Sequence, residues 1–98
     1  MLYLAALHSL GMTQRKLRDI LPERAEEYYH TLNLARLMES GYAFDSAQRI
    51  VDKKTQKLVE DVEGTLQKLD IQVIHREDEQ FPSLLRELPD CPTILYVR

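Results

Sequence analysis

The sequence predicts a mainly helical protein: a helical domain over residues 1–69, then a strand–helix–strand unit over residues 70–98 that opens an α/β domain. Three observations predict it. Apolar residues recur at helical spacing in successive runs from Leu2 to Leu69, the period of helices with one buried face. The pattern changes at Ile71, Val73 and Ile74, a short β-branched run that reads as a strand. After Pro82, Pro89 and Pro92, the run Thr93 to Val97 is nearly continuously apolar, as expected of a strand buried on both faces.

Leu2 to Leu10 forms the first expected helix, with Leu4, Leu7 and Leu10 at helical spacing and Ala5 and Ala6 as strong helix formers. Gly11 ends it, since glycine reaches the left-handed backbone that helix ends favour. Thr13 caps a second helix, Gln14 to Leu21, with Leu17, Ile20 and Leu21 as its stripe and Pro22 as its stop. A third helix is expected from Glu23 to Glu39, with a break near Thr31 and an end at Ser40-Gly41. From Phe44 to Leu69 the positions Phe44, Ala47, Ile50, Val51, Leu58, Val62, Leu66 and Leu69 fit one helical face. Asp45 or Ser46 caps it, and it is one helix or two with a joint near Asp52. Phe81-Pro82 opens a short helix, Ser83 to Leu88, with Leu84, Leu85 and Leu88 on one side. Asp90 to Pro92 make a rigid turn. The C-terminal unit has the length of a parallel βαβ unit with a right-handed crossover. Two strands alone make no stable sheet, so this unit reads as the beginning of a longer α/β domain. The chain reads as free of internal repeats.

The 98 residues hold 13 Lys+Arg against 16 Asp+Glu, a formal charge of −3. An acidic total argues against a dedicated duplex-DNA binder, whose affinity rests on basic residues neutralising phosphates. The charge is uneven, because residues 1–18 contain Arg15, Lys16 and Arg18 and no acid. No apolar run approaches the ~20 residues that span a bilayer. Met1 to Leu10 lacks the flanks of a signal peptide and reads as a core helix. A single cysteine, Cys91, excludes an internal disulfide, and a reducing cytoplasm is the expected compartment.

The best candidate site is the Gly11 turn with Arg15, Lys16 and Arg18. Glycine lets backbone N–H groups approach a phosphate, a helix N-terminus favours an anion, and basic side chains add attraction. The plainer reading is a solvated helix face, since Asp19 and Glu23 follow closely. Lys53, Lys54 and Lys57 form a second basic cluster. Tyr28 and Tyr29 are candidates for stacking on bases. Adjacent helical residues point ~100° apart, so one belongs in the core and the other at its rim. No metal, cofactor or catalytic site is expected. His8, His30, His75 and Cys91 lack ligand spacing, and Ser9 cannot face His8 on a helix. Glu77, Asp78 and Glu79 form a loop run, and there is no glycine-rich phosphate loop.

From Ile71 to Arg98 the chain resembles the DprA family, also called Smf. The family pattern there is a strand, an aromatic-Pro pair, two leucines, an Asp-x-Pro turn and a Leu-Tyr strand. The chain supplies Phe81-Pro82, Leu84-Leu85, Asp90-Cys91-Pro92 and Leu95-Tyr96, with Phe81 where the family more often has tyrosine. Leu7 to Leu17 is similar to the SAM-like or helix-hairpin-helix-like module with which such proteins often begin, with Thr13 in place of a second glycine. The resemblance implies a SAM-like domain over 1–69 and the first strand, helix and strand of a Rossmann-like domain over 70–98. It implies a cytoplasmic protein, not an enzyme, that binds single-stranded DNA and helps load a RecA-type recombinase in natural transformation and recombination. The family's main DNA-contacting motifs lie in the body of the Rossmann-like domain, past Arg98, as do the surfaces for the recombinase and for homodimerisation. Gly11, Arg15, Lys16 and Arg18 therefore remain the in-chain candidates. The alternative is a helical docking module that recruits a recombination or regulatory partner without touching DNA.

Overall fold

The computed structural model describes residues 1–98, mainly helical with one small antiparallel sheet. In chain order it comprises α1 (Leu2–Ser9), α2 (Gln14–Leu17), a 3-10 turn (Pro22–Arg24), α3 (Ala25–Thr31), α4 (Leu34–Glu39), α5 (Phe44–Lys53), α6 (Leu58–Lys68), β1 (Gln72–His75), α7 (Ser83–Arg86) and β2 (Ile94–Val97). α1 runs through the middle. Leu4, Ala5, Ala6 and Leu7 are consecutive, so they point around the whole helix, yet all are buried. They are buried because α2, α3 and α6 pack around α1. The same core takes in Leu17, Ile20, Leu37 and Ile50 and, from the strands, Val73 and Ile94. No helix is long and apolar enough to cross a membrane.

Helix ends follow local chemistry. Thr13 caps α2, its hydroxyl accepting the Lys16 N–H at 3.2 Å. Asn33 caps α4 by accepting the Arg36 N–H at 2.8 Å, which divides the expected helix from Glu23 to Glu39. α2 stops at Leu17 rather than Leu21. The chain tightens there into three-residue turns, Asp19 N–H to Lys16 and Ile20 N–H to Leu17, and Leu21 extends ahead of Pro22. Phe44 to Leu69 is two helices, parted where Lys53, Lys54 and Thr55 offer nothing to bury. Phe44 and Leu69, expected on the buried face, are exposed at its two ends.

The helical part is built from the same hairpin twice, a repeat that corrects the reading of a chain without one. α1 ends at Gly11 with φ +111°, and α4 ends at Gly41 with φ +101°. The Gly11 N–H donates to the His8 carbonyl at 3.0 Å and the Met12 N–H to Leu7 at 3.3 Å. Thirty residues on, the Gly41 N–H donates to Met38 at 3.0 Å and the Tyr42 N–H to Leu37 at 3.2 Å. This paired closure needs a left-handed residue, which is why glycine stands at both positions. One extended residue follows, Thr13 or Ala43, and then the second helix. The offset also matches core positions: Leu7 with Leu37, Leu17 with Ala47, Ile20 with Ile50, all buried. The two hairpins face each other. A Cβ on Gly11 would lie 3.7 Å from Ile50 of α5, and one on Gly41 would lie 3.1 Å from the Lys16 ammonium of α2. Each turn thus rests on the second helix of the other hairpin.

β1 and β2 are antiparallel, with Gln72 opposite Val97 and His75 opposite Ile94. This corrects the expected parallel βαβ unit and its right-handed crossover. The four residues of α7 rise ~6 Å, against ~13 Å for a four-residue strand, so α7 is too short to return the chain to the start of β1. β2 is not buried on both faces either. Ile94 is buried, but Tyr96 and Val97 are exposed, since a two-stranded sheet has few neighbours to cover it. A small second core joins Ile74, Phe81 and Cys91 with Leu85 and Leu95. Leu84 and Leu88, expected beside Leu85, face solvent.

Gln14 fastens β2 to α2. Its Oε1 accepts the N–H groups of Thr93 at 2.9 Å and Ile94 at 3.0 Å. Its Nε2 donates to the Ile94 carbonyl at 3.2 Å. The carboxamide thus meets both polar groups of Ile94, as a residue of a neighbouring strand would. At the other end of β2 the Tyr96 ring stacks on His8, centroids 5.7 Å apart, with a 2.8 Å hydrogen bond between the hydroxyl and Nδ1.

Candidate nucleic-acid interface

The four residues singled out from the sequence have different fates. Gly11 stands exposed at the tip of the first hairpin, and Arg15 is exposed as the second residue of α2. Neither ion pair of the molecule involves Arg15, since they join Arg24 to Glu27 and Arg76 to Glu77. Lys16 turns inward. Its ammonium donates to the Ser40 carbonyl at the end of α4 and lies 5.5 Å from the Tyr42 ring centroid. The Arg18 guanidinium donates to the Cys91 carbonyl at 3.0 Å. Lys16 therefore ties the hairpins together, and Arg18 ties α2 to the C-terminal unit.

Two further cations reach Gly11 from α5. Arg49 and Lys53, one helical turn apart, line a groove of about 220 Å³ with Gly11, Thr13, Tyr42 and Ser46. No carboxylate lines this groove. Each of the four larger cavities has at least one: Asp19 and Glu27, Asp61, Glu60, or Asp78 and Glu79. The second basic cluster is split. Lys53 joins the Gly11 groove, Lys54 lies 5.0 Å over the Tyr29 ring, and Lys57 is exposed where α6 begins. Arg49 was missed by the sequence reading. Its signal was its place four residues before Lys53 on the polar side of α5, but only the facing of the hairpins brings that side to Gly11.

The two turns differ in charge. α5 begins with Asp45 in its first turn, whereas α2 has no acid there. A carboxylate at a helix start occupies the place an external anion would take, so the second turn is self-neutralised and the first is not. The Gly11 groove thus offers two hydroxyls, Thr13 and Ser46, and two cations, Arg49 and Lys53. That set suits an oxyanion such as a phosphodiester. Burial raises the pKa of the Tyr42 phenol, whose hydroxyl is closed off from solvent. Tyr29 is in the core, and Tyr28 is half-buried beneath the Arg36 guanidinium at 4.4 Å, the division expected of adjacent helical residues. No three His, Cys, Asp or Glu side chains gather as a metal-binding group.

No protein-family model matches the chain, and no curated protein or solved structure matches it.

Proposed function

We propose that the helical module contacts single-stranded nucleic acid through the Gly11 hairpin, with Arg15, Arg49 and Lys53 against phosphates. The observation that carries this reading is the groove in which Gly11 and Thr13 meet Arg49 and Lys53 without a carboxylate. Three cations make a weak, salt-dependent contact: at about −0.7 per phosphate on a single strand, the slope of log affinity against log salt is about −2. The resemblance to the DprA family supports the same reading and extends it. A SAM-like module would precede a Rossmann-like domain, in a cytoplasmic protein that hands single strands to a RecA-type recombinase. The antiparallel β1–β2 pair adds nothing to the Rossmann-like part, which rests on the motif from Phe81 to Tyr96 alone.

The test is titration of the chain against labelled oligo-dT at low and high salt, beside the triple variant Arg15→Glu/Arg49→Glu/Lys53→Glu. Lys16 and Arg18 stay intact because they hold the fold. Binding at low salt that the triple variant loses is the expected result. Lys16 and Arg18 spend their cations on hydrogen bonds within the chain, which favours a second reading, a module that docks a protein partner. Absence of oligo-dT binding at low salt and high protein concentration overturns the first reading and leaves the second.

A further inference from the structure

We propose that the cavity between Tyr3, Tyr29, His30 and Lys54 seats one unstacked nucleobase of a single strand; this rests on the single-strand reading above. The cavity measures about 480 Å³, within the range of small-molecule sites. Tyr3 comes from the start of α1, Tyr29 and His30 from the end of α3, and Lys54 from the link between α5 and α6. The three rings meet one another at centroid distances of 5.5 to 5.6 Å. Tyr3 is half-buried and His30 exposed, so both keep ring surface open to a flat ligand. Tyr29 is 3% exposed, and its hydroxyl has no hydrogen-bond partner. Buried hydroxyls are nearly always paired, so this unpaired one is an exception in the wall of the cavity.

The charges choose the ligand. The cavity holds one cation, the Lys54 ammonium 5.0 Å over the Tyr29 ring, and one carboxylate, Glu60, so a phosphate is met by Lys54 and a base edge by Glu60. Moving onto a phosphate, the ammonium uncovers the Tyr29 face. Glu60 and Gln56 on the rim accept from and donate to the polar edge of a heterocycle. A planar base carrying a phosphate offers a face to the rings, an edge to Glu60 and Gln56 and an anion to Lys54. The chain also joins this cavity to the proposed phosphate groove: Lys53 lines one and Lys54 the other, with Cα atoms ~3.8 Å apart. Lys53 and Lys54 thus place the phosphate groove and the ring cavity on successive residues at the end of α5.

The experiment compares oligo-dT with an abasic strand of equal length, which keeps the phosphates and lacks the bases. The expected result is roughly tenfold weaker binding of the abasic strand, the effect of losing one stacked base. Tyr3→Leu should weaken oligo-dT by the same factor and leave the abasic strand unchanged, and His30→Ala should do so in part. Equal affinity of the two strands, or a Tyr3→Leu loss common to both, overturns the proposal while the phosphate groove stands. If neither strand binds, the single-strand reading fails on its own. The cavity is then judged by titrating free thymidine monophosphate and following the Tyr3 and His30 ring protons by NMR. Shifts confined to those rings uphold a base seat, and their absence at millimolar nucleotide overturns it.

Discussion

The Lys16 ammonium donates to the Ser40 carbonyl, so a side chain of the first hairpin closes the last turn of the helix that leads into the second. A cation at a helix C-terminus meets carbonyls that have no partner within the helix, and the helix dipole favours it there. The Tyr42 ring beneath the ammonium adds a cation–π contact at 5.5 Å. Lys16→Met, which keeps the apolar stem, should cost about 1 kcal/mol in urea unfolding. Lys16→Glu should cost more, since it sets a carboxylate against carbonyl oxygens. A Lys16→Met midpoint equal to the parent's would show that the contact holds nothing.

Gln14 makes a sharper prediction. Gln14→Ala leaves the N–H groups of Thr93 and Ile94 and the Ile94 carbonyl without their partner. Stranded buried groups cost more than the bonds themselves contribute, so a loss of about 2–3 kcal/mol is expected. Gln14→Glu keeps the acceptor and forfeits the donor, and should fall between. Hydrogen exchange at the Thr93 and Ile94 amides is the local readout. Unchanged protection there in Gln14→Ala would refute the role.

Three left-handed residues end helices, and one of them is not glycine. Asp70 has φ +54° at the close of α6, where the Ile71 N–H donates to Leu66 at 2.8 Å and the Asp70 N–H to Gln67 at 3.2 Å. Asp70→Gly should raise stability by about 0.5–1 kcal/mol, by relieving a strain that Gly11 and Gly41 avoid. Gly64→Ala, inside α6 with nothing within 4 Å of its Cβ position, should gain a similar ~0.5–1 kcal/mol. Gly41→Ala should move the other way, since its φ is left-handed and the Lys16 ammonium fills the space. Thermal melts of the three variants decide the matter, and a stabilised Gly41→Ala would contradict it.

Stability should fall on mild acidification. Burial lowers the pKa of His8, and it lowers that of His75 against the opposing pull of Glu77 and Asp78, with Arg76 adding to the decrease. The His75 Nδ1 accepts the Glu77 N–H at 3.1 Å, a bond that protonation removes. A lowered folded value means that the unfolded chain takes up protons first. The stability is therefore complete above the unfolded value of about 6.5 and is lost as pH drops through it toward the folded values. Urea midpoints should decline between about pH 7 and pH 5, less steeply in His75→Gln and His8→Gln. A flat profile over that window would exclude the effect.

What the sequence discloses here is local chemistry. Thr13 caps over three residues, Gly11 and Gly41 end helices at their own φ, and the Thr31–Asn33 break marks a cap; all of these act within one turn. What it conceals is distance. The partners of Lys16, Gln14 and Arg18 lie 24, 80 and 73 residues away, and nothing in the spacing of Arg15, Lys16 and Arg18 distinguishes the exposed cation from the two engaged ones. Arg49 stayed hidden for the same reason, because α5 reaches Gly11 only through the facing hairpins. The duplication was hard to see because Thr13-Gln14-Arg15-Lys16 and Ala43-Phe44-Asp45-Ser46 share a backbone path and little chemistry. Strand direction failed on length: residues 76–93 suffice for a crossover, but only four of them form α7.

The Gln14 fork has a consequence for how this protein meets copies of itself. A strand with open N–H and C=O groups invites pairing with any extended chain, and β2 carries apolar Ile94, Leu95 and Val97. Gln14 occupies the outer side of Ile94, the position from which such pairing would zip along the strand. The carboxamide acts as a molecular stopper on that edge. Removing it would convert a quiet surface strand into a seed for self-association.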